Sequence, residues 1–317
     1  MNASMKKPIS FALLAAALAT LPGLCFAGSG AGTTAAPFLK IGAGARTAGM
    51  ANAYGAVSDD ATAIFWNPAG IASSKGSEFN FGYISYFEDI KTGNVSYDTE
   101  TGLGKLGIGL IYVSVPDIER RGLTDSAGMV PNQGTFGAAD MAFSLALARQ
   151  NVFDSLPNLD FGAAVKVVRS TIDNKTATAF AADAGMIYRA HKKLRLGAAV
   201  QNAGTQMKFV DEGDPLPISF RLGCAYTPTD SFLLAAQVEQ YFIDKKFYPA
   251  LGLEYWLAKM LALRGGYKFG YDTENLGAKA GLSLGAGIKA SSVGLDYAFM
   301  PYGELGDTHR ASFWIKF

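Results

Sequence analysis

From about residue 78 onward, apolar side chains fall on every second position. Leu251, Leu253, Tyr255 and Leu257 share one face, while Gly252, Glu254 and Trp256 share the other. Leu261, Leu263, Tyr267 and Phe269 oppose Arg264 and Lys268, and Ile218, Phe220, Leu222, Cys224 and Tyr226 oppose Ser219 and Arg221. Val293, Leu295, Tyr297 and Phe299 oppose Asp296, and Phe161, Val165 and Val167 oppose Asp160 and Lys166. A period of two is the signature of strands with unlike faces. It predicts fourteen strands, near 78–87, 92–99, 104–115, 139–149, 159–169, 176–189, 194–201, 218–227, 231–239, 247–257, 260–269, 275–284, 288–298 and 308–317. Mid-strand charges keep to the face opposite the large apolar residues.

Alternation alone does not say which face points inward. A soluble sandwich buries its apolar face; a transmembrane barrel turns that face to lipid and keeps a polar lumen. Fourteen strands exceed a usual open sheet, and Phe and Tyr gather near strand ends as interfacial girdles do. The leader adds a third observation. Lys6 and Lys7 precede an apolar run from Ile9 to about Leu24, with Cys25-Phe26-Ala27 at a plausible cleavage point. Residues 1–27 therefore read as a secretory signal peptide, and Cys25 follows Leu24 rather than a small residue, which speaks against lipidation. The fold class expected is all-β: a 14-stranded antiparallel transmembrane β-barrel, residues 78–317.

Composition sharpens this. Apolar residues make up 49% and charged residues 17%, yet the apolar residues alternate rather than forming a run long enough for a spanning helix. Thirty-seven glycines suit turns and close approaches. Losing Lys6 and Lys7 with the leader brings the 28 basic residues slightly below the 27 acidic ones, which argues against nucleic-acid binding. Cys224 would be left alone, as a packed hydrophobe without a disulfide.

Connections supply a parity. After even-numbered strands they include Ala190–Lys193, Thr227–Asp230, Ala258-Lys259 and Gly285–Gly287, all tight. After odd-numbered strands they include 116–138, 202–217, 240–246 and 299–307, all longer. Short periplasmic turns and longer outer loops give this pattern; 150–158 and 88–91 are exceptions.

Residues 28–77 do not read as strand. An Ala-rich stretch, Thr47–Val57, predicts a short helix. Ser58-Asp59-Asp60 offers caps for another at Ala61–Trp66, which Asn67-Pro68 ends before a loop at Gly70. Fourteen strands enclose a lumen too wide for wall side chains to fill, so this segment is expected to plug it. The plug and lumen candidates are Arg46, Asp59, Asp60, Asn67 and Pro68, together with Arg221, Arg264 and Lys268 on the wall. The two aspartates are expected to face those three wall cations.

The stretch FLKIGAGARTAGMANAYGAVSDDATAIFWNPAGIA resembles the N-terminal signature of the PorV/PorQ family of outer-membrane proteins, which is related to FadL-type long-chain fatty acid transporters. Asp59-Asp60, Asn67-Pro68-Ala69 and Leu305–Arg310 carry the likeness, whereas Met50-Ala51-Asn52 departs from a glycine-rich family sequence. The resemblance implies a fourteen-stranded barrel with an N-terminal hatch. The last ten residues, THRASFWIKF, resemble the closing strand of bacterial outer-membrane barrels, which the barrel assembly machinery reads. Phe313, Ile315 and Phe317 would meet lipid there, while Arg310 and Trp314 face the lumen and the strand closes on the first.

No enzyme site emerges. His191 sits in a turn beside Lys192 and Lys193, and His309 and Ser312 point to opposite faces, which defeats a local pair. No zinc spacing is present, no cofactor is implied, and Gly42–Ala45 lacks a P-loop lysine. Asp211, Glu212 and Asp214 read as a solvated acidic loop. The expected role is passage of hydrophobic small molecules across the bacterial outer membrane. The alternative the resemblance implies is an accessory of the type IX secretion system that holds cargo or attachment enzymes at the surface. Partners would be outer-membrane lipid, the barrel assembly machinery, and a hydrophobic ligand or secretion-system proteins.

Overall fold

The computed structural model describes residues 32–86, 90–123, 132–277 and 279–317. Residues 1–27, expected to be a signal peptide, lie outside these. The barrel strands are β1 (Glu78–Ser85), β2 (Lys91–Thr101), β3 (Gly104–Arg121), β4 (Asn132–Arg149), β5 (Leu159–Ile172), β6 (Lys175–His191) and β7 (Leu194–Gly204). They continue as β8 (Ser219–Thr229), β9 (Phe232–Tyr241), β10 (Lys246–Leu257), β11 (Leu261–Lys268), β12 (Leu282–Ala290), β13 (Val293–Pro301) and β14 (Asp307–Lys316). Each strand pairs antiparallel with the next, and β14 closes on β1 with Phe79 opposite Ile315 and Phe81 opposite Phe313. The result is a closed fourteen-stranded barrel, which leaves no free sheet edge.

Closure decides the face that alternation left open. Leu251, Leu253, Leu263, Phe143 and Val165 are exposed on the outer surface, whereas Glu254, Arg264, Arg221, Lys268 and Asp296 are buried inside. The charged face is the inner face.

Several expected boundaries move. The strands placed at 275–284 and 288–298 shift: Thr273–Leu276 is a helical turn capped by Asp272, β12 starts at Leu282, and the link to β13 is Ser291-Ser292. Gly285 and Gly287, read as a turn, lie inside β12. They face inward where the wall must be bare: a Cβ at Gly285 would come 3.0 Å from the Cα of Gly49, and one at Gly287 would meet Arg264. The expected loop 116–138 is largely ladder, because β3 runs on to Arg121 and β4 starts at Asn132, with a bulge at Pro116-Asp117. Polar strand ends carry no apolar alternation and so read as loop. Between β7 and β8 sits a two-residue hairpin, Met207–Lys208 with Gly213–Asp214. The link from β5 to β6 is also tight, at 173–174, so parity holds only in outline.

Candidate functional site

Residues 32–77 contain no strand. The Ala-rich stretch is helical only over Ala45–Gly49 and then breaks, because Ala51 and Asn52 take left-handed backbone with φ of 54° and 64°. That conformation favours glycine. Asp60 caps the 3-10 helix Ala61–Phe65 by accepting from the Thr62 N–H at 3.0 Å. Asn67 does not simply end that turn. It caps the next one, Pro68–Ser73, which takes in Gly70, and Pro68 occupies its first position as a residue without a needed N–H.

This segment crosses the barrel interior from end to end. At one end Ala35 donates its N–H to the Pro215 carbonyl and Lys40 pairs with Asp244, in the connections after β7 and β9. At the other, Ser77 and Phe317 exchange backbone hydrogen bonds beside the start of β1. Between these points its backbone packs directly against several wall positions. A Cβ on Gly162 would lie 2.5 Å from the Ala69 nitrogen, and one on Gly197 would lie 2.4 Å from the Gly55 carbonyl oxygen. Real Cβ contacts do not come so close, so these wall positions are bare because the segment's backbone occupies the space.

Arg46 is the electrostatic centre. Its Nε and Nη2 grip both carboxylate oxygens of Glu254 at 2.9 Å, while Nη1 donates to Asp59 at 2.6 Å, Tyr54 at 2.9 Å and Asp60 at 3.2 Å. Such a fork is the strong geometry for arginine and carboxylate. Tyr54 donates its hydroxyl to Asp60, and burial pushes that hydroxyl well above its ordinary range, so it remains a donor. Burial opposes the Asp59 charge, but Arg46 and then Arg195 outweigh it and hold its carboxyl below the usual value.

The expectation that Asp59 and Asp60 face Arg221, Arg264 and Lys268 is therefore corrected. Those wall cations are already neutralised by wall acids. Arg264 bonds Glu254 at 2.7 Å and Asp296 at 2.6 Å, and Arg221 and Lys268 both pair with Glu239, at 2.5 and 3.0 Å. The reason is register: Glu254 stands directly opposite Arg264, and Arg221 directly opposite Glu239. The aspartates instead take Arg46 from their own segment, and Asp59 also meets a different wall cation, Arg195, at 3.7 Å. Asn67 bridges segment and wall, donating to the carbonyls of Gly55 at 2.7 Å and Met186 at 3.1 Å. Pro68 lies against Gly162.

Glu254 and Asp296 were visible as mid-strand acids opposite the apolar face but were not singled out, and Glu239, at the end of the expected strand 231–239, was not noticed. Trp66 and Gln237 carried no signal at all. Trp66 stacks under the Arg221 guanidinium at 4.9 Å, and Gln237 receives the Gly55 N–H at 2.7 Å. Thr92, Asn94 and Ser96 on the inner face of β2 have side-chain atoms with no hydrogen-bond partner among the described residues.

At the terminus, Phe313 and Phe317 are exposed and Ile315 is half-buried, while Arg310 is buried and Trp314 donates to Asp296 at 3.0 Å. His309 is exposed, with Nδ1 at 2.6 Å from the Tyr297 hydroxyl, and His191 is exposed at its strand end. Among the described residues no cluster of three metal-ligating side chains occurs.

Two cavities flank the segment. One of about 240 Å³ holds Arg46, Asp59, Glu78 and Lys316; one of about 340 Å³, at the opposite end, is ringed by tyrosines. A groove of about 580 Å³ on the outer wall is lined by Phe143, Leu145, Val165, Val167 and Phe180, and also by the inward-facing Lys166. It lies beside a bulge in β7, where one extra residue shifts the register and Asn202 takes φ of 59°.

The fold defines the class: a closed fourteen-stranded antiparallel barrel, with residues of its N-terminal segment packed against inner-face positions. The sequence matches the family described as type IX secretion system protein PorV over residues 28–239, and the chain belongs to that family. Among solved structures it is similar to a TodX monoaromatic hydrocarbon channel mutant, with a TM-score of 0.62 and 15% identity over 87% of this chain and 99% of that one. The toluene transporter TbuX of Ralstonia pickettii gives 0.59 and 14%, covering 87% and 98%. A FadL homologue of Pseudomonas aeruginosa gives 0.53 and 13%, covering 86% and 98%. At these identities the likeness is one of fold. A comparison with curated sequences finds no match.

Proposed function

We propose that this chain is a non-enzymatic outer-membrane barrel that passes hydrophobic small molecules, with the N-terminal segment as its plug. The observation that carries the reading is the wall groove. Large apolar side chains on its outer side meet inward Lys166 and Ala181 where the β7 bulge disturbs the ladder with β6. Bulges bend strands and interrupt pairing, and so mark a wall's weak point. A ligand leaving there would enter lipid without crossing the polar lumen end. The continuous exposed apolar surface suits a hydrocarbon surround better than water. The barrel assembly machinery would read Phe313, Ile315 and Phe317, and lipid would then cover them. The test is uptake of a monoaromatic hydrocarbon by cells with and without the chain, and with Asn202 deleted to restore an unbroken ladder. Uptake should rise with the chain and fall on deletion; equal uptake in all three rejects the reading.

Family membership favours a second reading, an accessory of the type IX secretion system holding cargo or attachment enzymes at the surface. Co-purification of secretion components, with uptake unaffected by the chain, would select it.

A further inference from the structure

Five tyrosines from five separate parts of the chain converge at the end of the lumen where the longer connections gather. Tyr86 follows β1, Tyr241 ends β9, Tyr248 lies near the start of β10, Tyr271 follows β11 and Tyr302 follows β13. Their rings form a chain of contacts: Tyr86 to Tyr302 at 6.1 Å, Tyr302 to Tyr271 at 5.8 Å, Tyr271 to Tyr248 at 5.7 Å and Tyr248 to Tyr241 at 6.1 Å. Three ammonium groups line the same cavity. Lys268 sits 4.7 Å over the Tyr248 ring and is neutralised by Glu239; Lys40 sits 5.7 Å over the Tyr241 ring and is neutralised by Asp244. Lys246 makes no ion pair among the described residues.

Resting on the passage reading for its role, we propose that this vestibule is a capture site for a small aromatic carboxylate. The volume of about 340 Å³ is near the lower end of ligand pockets, which span roughly 300–1,000 Å³, and so suits a single ring rather than a long chain or a folded partner. Tyrosine rings offer edge and face contacts to that ring. The Lys246 ammonium, on the cavity lining, offers a charged donor to its carboxylate. A bare hydrocarbon would cover the Lys246 ammonium without satisfying it, so the site discriminates against it. Lys40 and Lys268 contact the Tyr241 and Tyr248 rings and are already neutralised by Asp244 and Glu239.

The test uses the full chain in detergent and calorimetric titration with benzoate, cyclohexanecarboxylate and toluene. Benzoate should bind more tightly than either of the others. Lys246→Gln should weaken benzoate about tenfold, the scale of one charge-assisted hydrogen bond, and leave toluene unchanged. Tyr271→Ala should weaken benzoate, and Tyr271→Phe should restore most of it. Heat-modifiable gel mobility checks that each variant is folded. The proposal is overturned if benzoate does not bind at millimolar concentration, if cyclohexanecarboxylate binds as well, or if Lys246→Gln and Tyr271→Ala change nothing. Vesicle uptake separates the two claims. Benzoate binding without uptake leaves the site standing and removes passage. Uptake indifferent to both variants, with no benzoate binding, leaves passage standing and removes the site.

Discussion

Replacing Arg46 by glutamine removes five hydrogen bonds that tie the N-terminal segment to itself and to the wall. Losing one partner of a buried ion pair costs roughly 3–5 kcal/mol, mostly from the charge left behind. Two features reduce that here. Glu254 keeps Arg264 at 2.7 Å, and Asp59 keeps Arg195 at 3.7 Å and is partly exposed. The expected loss is therefore about 2–3 kcal/mol, a roughly thirty- to hundred-and-fiftyfold rise in the open population of the segment. Amide hydrogen exchange reads this directly, because local opening and global unfolding have separate free energies. The Ala48, Met50 and Asn52 amides, bonded to Gly44 and Thr47 carbonyls, should exchange faster by that factor. Amides in the ladders of β3 to β5 should not change. Arg46→Lys should recover less than half, since an ammonium cannot make the two-pronged contact with Glu254. Combining Arg46→Gln with Glu254→Gln should cost less than the two changes added. If protection of the segment stays within about threefold of the parent, or if wall and segment loosen together, Arg46 does not anchor the segment and the reasoning fails.

Other outcomes follow from the same geometry. Gly197→Val should expel or distort the segment, because its Cβ would meet the Gly55 carbonyl oxygen at 2.4 Å; trypsin should then cut after Lys40 and Arg46 while the barrel survives. Thr92→Val should cost less than about 0.5 kcal/mol in denaturant titration, because the Thr92 hydroxyl has no partner to lose. Acid should release the segment only late. The Asp59 carboxyl is held below its ordinary value, so its contribution is fully present above about pH 4 and lost as pH falls through the folded value. The acid-induced rise in segment exchange, corrected for intrinsic rate, should lie below about pH 4 and be smaller in Asp59→Asn. Phe317→Asp should lower the amount of folded barrel in the outer membrane, as measured by heat-modifiable mobility. Normal insertion with altered ligand uptake would refute the assembly role given to that residue.

Alternation of apolar and polar positions was enough to find the strands, their even number and the segregation of charge to one face. These follow from local geometry, because side chains on an extended chain must alternate. The cap at Asp60 was legible for the same reason, since a cap and the N–H it accepts from are two residues apart, whereas Asn67 was read only as the end of that turn and in fact caps the next. Gly285 and Gly287 misled because a glycine in sequence signals a turn or a close approach equally, and only the neighbouring Gly49 and Arg264 tell which. The face turned inward, the partners of each buried charge and the place of the tyrosines all depend on register and closure. Arg221 meets Glu239 and Arg264 meets Glu254 because ladders set them side by side. Tyr86 and Tyr302 meet because β14 closes on β1. Strand identity is a property of neighbours along the chain, whereas a lumen exists only once the sheet has closed on itself.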